Sequence, residues 1–542
     1  VDLSKLERNN WAGGQLLAFS GIDGPTDYHH GLAARTSLNA VGIDIEIPAQ
    51  TQLRFADTGP GSFLVTGDYF EIETPAAKVR GAFLDAHHIL VEGPCRITNC
   101  SGQIASKQLA HRTLVGVSRC FDAEKIHQNL SQAIDDRSRW LKSRTVPADL
   151  TPETYQAMCK AFSMMKTQVS TPHDPIKKMW TTPDRWPHRG MWLWDSVFHA
   201  IGFRHIDVNL ARQMLTAVIE TQQDDGYIPL CALVDLPERL TQPPLLGLGA
   251  KLIHQIEPDM DWIHYIYPKL CRYVEWDLGN RDSDGAGLLE WQLIIHHDIE
   301  HEANCSAGES GMDNSPRFDA AVPLDATDFN AYVTHECEVL CQFATTLGRE
   351  DDARKWADKH QQLCGLINDR LWSARANIYV DFDPEKNEQS PVLSSAGFLP
   401  LMCGAPSLQQ AQHLADHLEN PDTFATALPV ACIATGEYYE KDMWRGPVWM
   451  NINWLIAYGF DRYQLTDAAQ HIRSASRRNI EKYCQSHSSF FEFYDDRGEV
   501  APTQLHRKGK CAPEISPYHH VFYDYGWTAA TYVDMIFSQQ GS

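Results

Sequence analysis

The period of the side-chain pattern changes once along this chain, and nothing else constrains its fold as strongly. Up to about residue 120, apolar and polar residues alternate in twos, as in Val41-Gly-Ile-Asp-Ile-Glu-Ile47, Ser62-Phe-Leu-Val-Thr66, Tyr69-Phe-Glu-Ile-Glu-Thr74 and His88-Ile-Leu-Val-Glu92. Successive strand residues point to opposite faces, so this period gives each strand one buried face. Clusters such as Gly21-Ile-Asp-Gly-Pro25 and Asp57-Thr-Gly-Pro-Gly61 punctuate the runs. The segment 1–120 reads as an antiparallel β-sandwich, a packing or lid domain with no carboxylate constellation of its own.

From Asp122 the pattern turns charged and helical, which predicts a linker over 121–150 with a helix running to about Lys142. Pro147 and then Thr151-Pro-Glu-Thr, a cap residue with Pro just inside it, open the next domain, 151–542. Helical periods dominate there, at 152–168, 195–222, 251–278, 324–347, 350–373, 408–418, 450–463, 466–484 and 527–539. Helices joined by long polar loops, without alternating strands, indicate a mainly α architecture, a barrel or a solenoid.

Composition narrows the function. Lys and Arg number 47 against 70 Asp and Glu, a net charge of −23 that disfavours nucleic acid and anionic membrane surfaces as partners. No run approaches the ~18 apolar residues of a membrane span. The fourteen cysteines are scattered without zinc-site spacing. Cys95 and Cys100 are spaced to bridge a short loop; the rest read as reduced thiols, which favours a cytoplasmic compartment. A start at Val1 leaves room for a removed leader.

The chemistry concentrates in a few loops. Glu309-Ser-Gly-Met-Asp313-Asn-Ser-Pro-Arg317-Phe-Asp319 is too polar and irregular for a core helix, and Phe490-Phe-Glu492-Phe-Tyr-Asp495 wraps a second carboxylate in aromatics. Two carboxylates from distant segments are what acid/base hydrolysis of a glycosidic bond needs. Glu309 and Asp319, flanking Asp313, suit capping and pairing with Arg317. Met191-Trp-Leu-Trp194-Asp195 sets an aspartate beside two indoles, either as a helix cap or as a ligand of sugar hydroxyls. Tyr227, in the turn Asp224-Asp-Gly-Tyr227, is a loop anchor or a wall of the site. In Trp444-Arg445-Gly446-Pro447-Val-Trp449 a buried arginine needs a partner, and the catalytic carboxylates are the obvious ones. Trp291 follows Asp282-Ser-Asp284-Gly-Ala-Gly287, an incomplete calcium-loop pattern that reads as a plain turn.

In order along the chain, Trp194-Asp195, Asp225-Gly226-Tyr227-Ile-Pro229, the Glu309 to Arg317 string, Trp444 to Trp449, and Glu492-Phe-Tyr-Asp495 with Gly526-Trp527-Thr-Ala529 resemble the motifs of inverting α-glycosidases. The families are glycoside hydrolase families 63 and 37, and the likeness is greatest to the mannosylglycerate and glucosylglycerate hydrolase branch. It covers roughly residues 150–540 and implies an (α/α)6 barrel with its site among the interhelical loops. By position, Asp313 takes the general-acid place and Glu492 the general-base place. Trp194, Asp195, Tyr227, Trp291, Arg317, Trp444, Arg445, Gly446, Trp449 and Trp527 become the candidates for substrate binding. Inversion expects the two carboxyls about 6.5–9.5 Å apart and an acid whose pKa is raised. No cofactor and no metal is implied.

The expected substrate is a small α-glucoside or an oligosaccharide with an α-glucosidic bond. The alternatives are an α-mannoside, a glycosylglycerate or an inactive sugar-binding barrel, and the oligomeric state, homo-oligomer included, stays open. One departure from the family is the cationic insertion Thr503-Gln-Leu-His506-Arg507-Lys508-Gly-Lys510, tethered between Glu492 and Trp527. It is either a solvated surface loop or a lid whose cations face an anionic aglycone.

Overall fold

The computed structural model describes every residue except 7, 9–10, 56–60, 99, 235–237, 296–304, 509–520 and 539–542. The period-two segment forms two antiparallel sheets. One orders Leu16–Ala18, Ala33–Thr36, Gly42–Ile47, Thr51–Phe55 and Cys95–Thr98; the other orders Ile104–Leu109, Arg112–Val117, His88–Glu92, Lys78–Asp85, Tyr69–Glu73 and Ser62–Val65. Ile43, Ile45, Leu53 and Phe55 from the first share one core with Phe70, Ile72, Val79, Ile89 and Val115 from the second. The alternate residues Leu64, Tyr69, Leu90 and Leu114 pack outward onto Leu130 and Ile134 of the first α-helix, so the second sheet is covered on both faces. Cys95 and Cys100 are separate thiols, which corrects the expected bridge.

Thirteen α-helices follow among the described residues: α1 Leu130–Lys142, α2 Pro152–Gln168, α3 Leu193–Phe203, α4 Val208–Ile219, α5 Leu246–Ile256, α6 Met260–Asn280, α7 Thr327–Thr346, α8 Glu350–Leu366, α9 Pro400–Cys403, α10 Leu408–Asp416, α11 Met450–Arg462, α12 Thr466–His487 and α13 Gly526–Ser538. The Thr151 side chain accepts from the Thr154 N–H and Pro152 opens α2, as the sequence signal implies. Two of the long helical periods are each split in two. Asp207 caps α4 by accepting from the Leu210 N–H, and Asp259 caps α6 by accepting from the Trp262 N–H. A carboxylate that can satisfy the first free amides of a new helix competes with continuation of the old one.

Burial sorts the helices. Every residue of α3 is buried, whereas α8 buries only Trp356 and Leu363 and presents the rest to solvent. The helices α3, α5, α7, α9, α11 and α13 pack in succession, and α11 and α3 both pack on α13. Among the described residues no helix is long and apolar enough to cross a membrane.

The sheets and helices meet through buried charge. The Lys166 ammonium, on α2, lies 2.6 Å from Asp23 and 2.5 Å from Asp68. Burial pushes the Asp23 carboxyl up to about 6 against the pull of Lys166. Further along, Asp524 accepts from the Leu16 N–H at 2.8 Å and pairs with Lys160 at 2.8 Å. Arg35 donates to the Tyr523 and Trp186 carbonyls. Lys166→Met leaves the buried Asp68 without its cation and Asp23 with Arg137 alone, at 3.2 Å, and should lower the free energy of unfolding by about 3–5 kcal/mol. Adding Asp23→Asn and Asp68→Asn should recover most of that loss, read from denaturant midpoints of the variants.

Candidate active site

The loop bearing Asp313 is built on one close approach. Gly311 has φ +73, and a Cβ there would run into the Trp194 ring, so only glycine lets the chain turn and rest on that indole. Upstream, Glu309 is fully buried and accepts from Arg281 at 2.7 Å, from the Thr241 N–H at 2.8 Å and from the Gln292 N–H at 2.6 Å. Downstream, Arg317 spends all five N–H donors on protein. Two go to Asp328 (2.6 and 2.8 Å), two to Asp381 (2.7 and 2.8 Å) and one to the Met312 sulfur. Held at both ends, the loop presents Asp313 with 26% of its side chain exposed.

Glu492 arrives on an extended segment from far along the chain, whose backbone N–H donates to the Phe522 carbonyl at 3.0 Å. Its buried carboxylate receives the Arg507 guanidinium at 2.9 Å, and that guanidinium lies over the Phe522 ring at 4.5 Å. The next residue, Lys508, reaches Asp313 at 2.7 Å. Consecutive Cα atoms stand about 3.8 Å apart, so two adjacent residues of the insertion each grip one of the paired carboxylates. Burial pushes the Asp313 carboxyl up, but the Lys508 charge and hydrogen bond, with Arg507 and His188 behind them, outweigh it and hold the group below its usual value. This is the reverse of the raised pKa expected of a general acid. The remaining cation of the insertion, Lys510, lies outside the described residues.

Beside the carboxylates stands an aromatic wall. Trp444 and Trp449 stack at 3.7 Å, and Trp527 meets Trp194 and Trp449 edge to face at 5.2 and 5.5 Å. Asp195, in the first turn of α3, is 3% exposed, and among the described residues its Oδ1 has no hydrogen-bond partner; the buried indole nitrogens of Trp444 and Trp527 have none there either. Burial pushes the Asp195 carboxyl well up, and the charges of Asp184 and Glu492 push the same way. Asp195 is therefore not the helix cap, since Trp192 holds that place. Unsatisfied buried donors and acceptors gathered in one place are what a hydroxyl-rich ligand would answer.

Other candidates have structural duties. Tyr227 donates its hydroxyl to the Leu240 carbonyl at 2.6 Å and carries Arg239 over its ring. Trp291 stacks on Phe329 at 3.8 Å and donates its N–H to Asp328. Gly446 abuts the Glu440 carbonyl, which stands where a Cβ would sit. Arg445 pairs with Asp319 at 2.8 Å and with Glu440 at 3.1 Å, and donates to the Asn314 carbonyl. Two expectations are thereby corrected: Asp319 partners Arg445 rather than Arg317, and Arg445 does not partner the catalytic carboxylates. With no donor left over, Arg317 supports the loop and cannot donate to a sugar.

Sequence reasoning missed Asp184, His188 and Tyr525. Asp184 is fully buried and lies 3.0 Å from His188, whose ring meets Phe522 and Tyr525 edge to face. The only signal was a histidine four residues after an aspartate in an irregular, Pro-bearing stretch, Asp184-Arg-Trp-Pro-His188.

Residues 187–504, more than half of the chain, match the family described as mannosylglycerate hydrolase MGH1-like glycoside hydrolase domain. The chain is 25% identical over 398 residues to the mannosylglycerate hydrolase of Thermus thermophilus, covering 58% of this chain and 91% of that protein. The fold is similar to the crystal structure of a family 63 mannosylglycerate hydrolase from Thermus thermophilus in complex with glucose. There the TM-score is 0.56 at 22% identity, over 70% of this chain and 100% of that one. A rhamnosidase from Klebsiella oxytoca, TM-score 0.52 at 14% identity, spans 99% of this chain and 97% of its own, so sheets and helices recur together.

Arg317→Met strands the Asp328 and Asp381 carboxylates in the interior. It should lower the free energy of unfolding by about 3–5 kcal/mol, seen in the denaturant midpoint. An arginine that served the sugar instead would leave that midpoint unchanged and weaken ligand binding.

Proposed function

Because the chain belongs to the mannosylglycerate hydrolase MGH1-like glycoside hydrolase family, we propose that it hydrolyses the α-glycosidic bond of a small glycoside with inversion, inside an (α/α)6 barrel. The succession α3, α5, α7, α9, α11, α13 supports the barrel as its inner ring, with the more exposed helices outside. The observation that carries the reaction is the convergence of Asp313 and Glu492 on the dipeptide Arg507-Lys508. Asp313 protonates the leaving oxygen, and Glu492 takes the proton of a water on the opposite face of the ring. The sugar lies against Trp444, Trp449 and Trp527, where Asp195 and the two indole N–H groups that find no partner among the described residues meet its hydroxyls.

An acid must carry its proton, and Lys508 holds Asp313 in the wrong state for that. A substrate with its own carboxylate resolves the conflict. It competes for the Lys508 ammonium and, as it binds, releases Asp313 to be protonated. The glycerate of a glycosylglycerate, the substrate in the relatives' names, has that charge, so an acidic aglycone is the reading we favour over a neutral α-glucoside.

Asp313→Asn and Glu492→Gln should each cut kcat by about 10²–10⁴ or more with the fold intact. Proton NMR during the first minutes should show the β-anomer released from an α-glycoside; release of the α-anomer would overturn inversion. Lys508→Ala should raise KM for an acidic α-glycoside about tenfold or more and leave KM for a neutral disaccharide unchanged. Losing that cation raises the pKa of the free acid, and activity is lost as pH rises through it. The alkaline limb of kcat/KM for the neutral substrate should therefore move to higher pH. Equal effects on KM for both substrates would return the insertion to a surface loop.

A further inference from the structure

The turn Asp282-Ser-Asp284-Gly-Ala-Gly287, plain in sequence, gathers more carboxylate than a turn needs. Asp282, Asp284 and Glu290 each offer a carboxylate oxygen, and these oxygens all lie within 4.8 Å of one another. One oxygen of each carboxyl accepts a backbone N–H of the turn: Asp282 from Gly287 at 3.1 Å, Asp284 from Ala286 at 2.8 Å, Glu290 from Ser283 at 2.8 Å. Among the described residues the other oxygens of Asp282 and Glu290 are buried without a hydrogen-bond partner, and Glu290 is only 3% exposed. Asp325 is fully buried, is paired to Glu290 through a backbone β-bridge, and adds a third orphaned oxygen. Its second oxygen accepts from Arg370 at 3.3 Å.

The charge answering these four carboxylates is thin: the guanidinium that reaches Asp325 belongs to an arginine 36% exposed. Burial, with the neighbouring acids, pushes the Glu290 carboxyl up to about 7 and that of Asp325 up to about 6. Oxygens that neither find a donor nor reach water are poorly placed unless a cation binds them.

We propose that Asp282, Asp284 and Glu290, with Asp325 against them, form a binding site for a calcium-sized divalent cation. Calcium takes oxygen ligands at about 2.3–2.6 Å, so ligands on opposite sides of the ion stand up to about 5 Å apart, which admits the 4.8 Å spread. Magnesium, at about 2.0–2.1 Å, demands a tighter octahedron. The exposed Asp284 side leaves room for the waters that fill a six- to eight-fold shell.

The position gives the ion a consequence. Asp282 and Asp284 directly follow α6, Asp325 directly precedes α7, and Glu290 and Asp325 bracket the segment that carries Asp313 and Arg317. An ion there pins both ends of that segment and holds the Asp313 loop on Trp194. Binding itself is independent of the acid role given to Asp313.

The full chain, stripped with EDTA and dialysed at pH 7, should bind one calcium per chain in a calorimetric titration. Saturating calcium should raise Tm by a few degrees, with magnesium at the same concentration giving a smaller rise. Glu290→Gln should abolish both responses. Asp284→Asn, at an exposed position that does not threaten folding, should weaken calcium binding about tenfold or more. No calcium heat and no change in Tm for the stripped protein would overturn the site, as would an Asp284→Asn variant that titrates like the parent chain.

Discussion

The site depends first on the Arg317 guanidinium. Its fork engages Asp328 at the start of α7 and Asp381 from a later loop, and both acids are already committed to neighbours: Asp328 accepts the Trp291 indole N–H, and Asp381 accepts the Thr327 N–H at 2.9 Å. A planar donor set is the one side chain that can serve two carboxylates bidentately from a single point. With Arg317 in place, Met312 is fixed against its donor edge and Asp313, the next residue, has little freedom left. On the other flank, Arg445 does similar work from the partner loop. It binds Asp319 and the Asn314 carbonyl, while the Asn314 side chain accepts from the Trp444 N–H at 3.0 Å. The carboxylate loop and the tryptophan wall are therefore one cross-linked body.

The N-terminal sheets belong to this arrangement, although they contribute no carboxylate to it. Their first strand donates the Leu16 N–H to Asp524, Arg35 holds the Tyr523 carbonyl, and Gly14 passes so close to the Tyr523 ring that a Cβ would stand 2.6 Å from it. Residues 522–525 in turn bear the Phe522 carbonyl that accepts from Glu492, the ring beneath Arg507, and Tyr525 beside Trp527. A displacement of the sheets would reach Glu492 through a few rigid contacts. That makes them a buttress for Glu492 rather than a separate binding module.

Local physics made much of this readable from sequence. Period-two alternation marked the sheets, and Thr151-Pro152 marked the start of α2 to the residue. The pairings were not readable, because charge complementarity says nothing about which acid an arginine will find. Arg317 meets carboxylates 11 and 64 residues away, and Arg445 meets Asp319 across 126. Asp195 was legible as a carboxylate beside indoles, but its unpartnered oxygen exists only once the chain is folded. The turn at Asp282 looked incomplete for the same reason: the acid facing it, Asp325, lies beyond the whole Asp313 loop.

The insertion resolves differently. Its cations were legible and its tethers placed them near Glu492, yet sequence could not say that Arg507 and Lys508 would divide the two carboxylates between them. The division has opposite consequences at the two sites. In the proposed reaction Arg507 leaves Glu492 to act as base, whereas the Lys508 ammonium beside the proposed acid, Asp313, favours loss of the proton it needs. The resting arrangement is thus half ready, and what completes it is a competitor for Lys508 alone. Lys508 suits that exchange better than Arg507 does, because a flexible ammonium one-third exposed to water gives up a partner more readily than a buried guanidinium stacked on Phe522. On the proposed mechanism, substrate charge and acid protonation are coupled through one side chain, so that selectivity for an acidic aglycone and activation of Asp313 would be the same event.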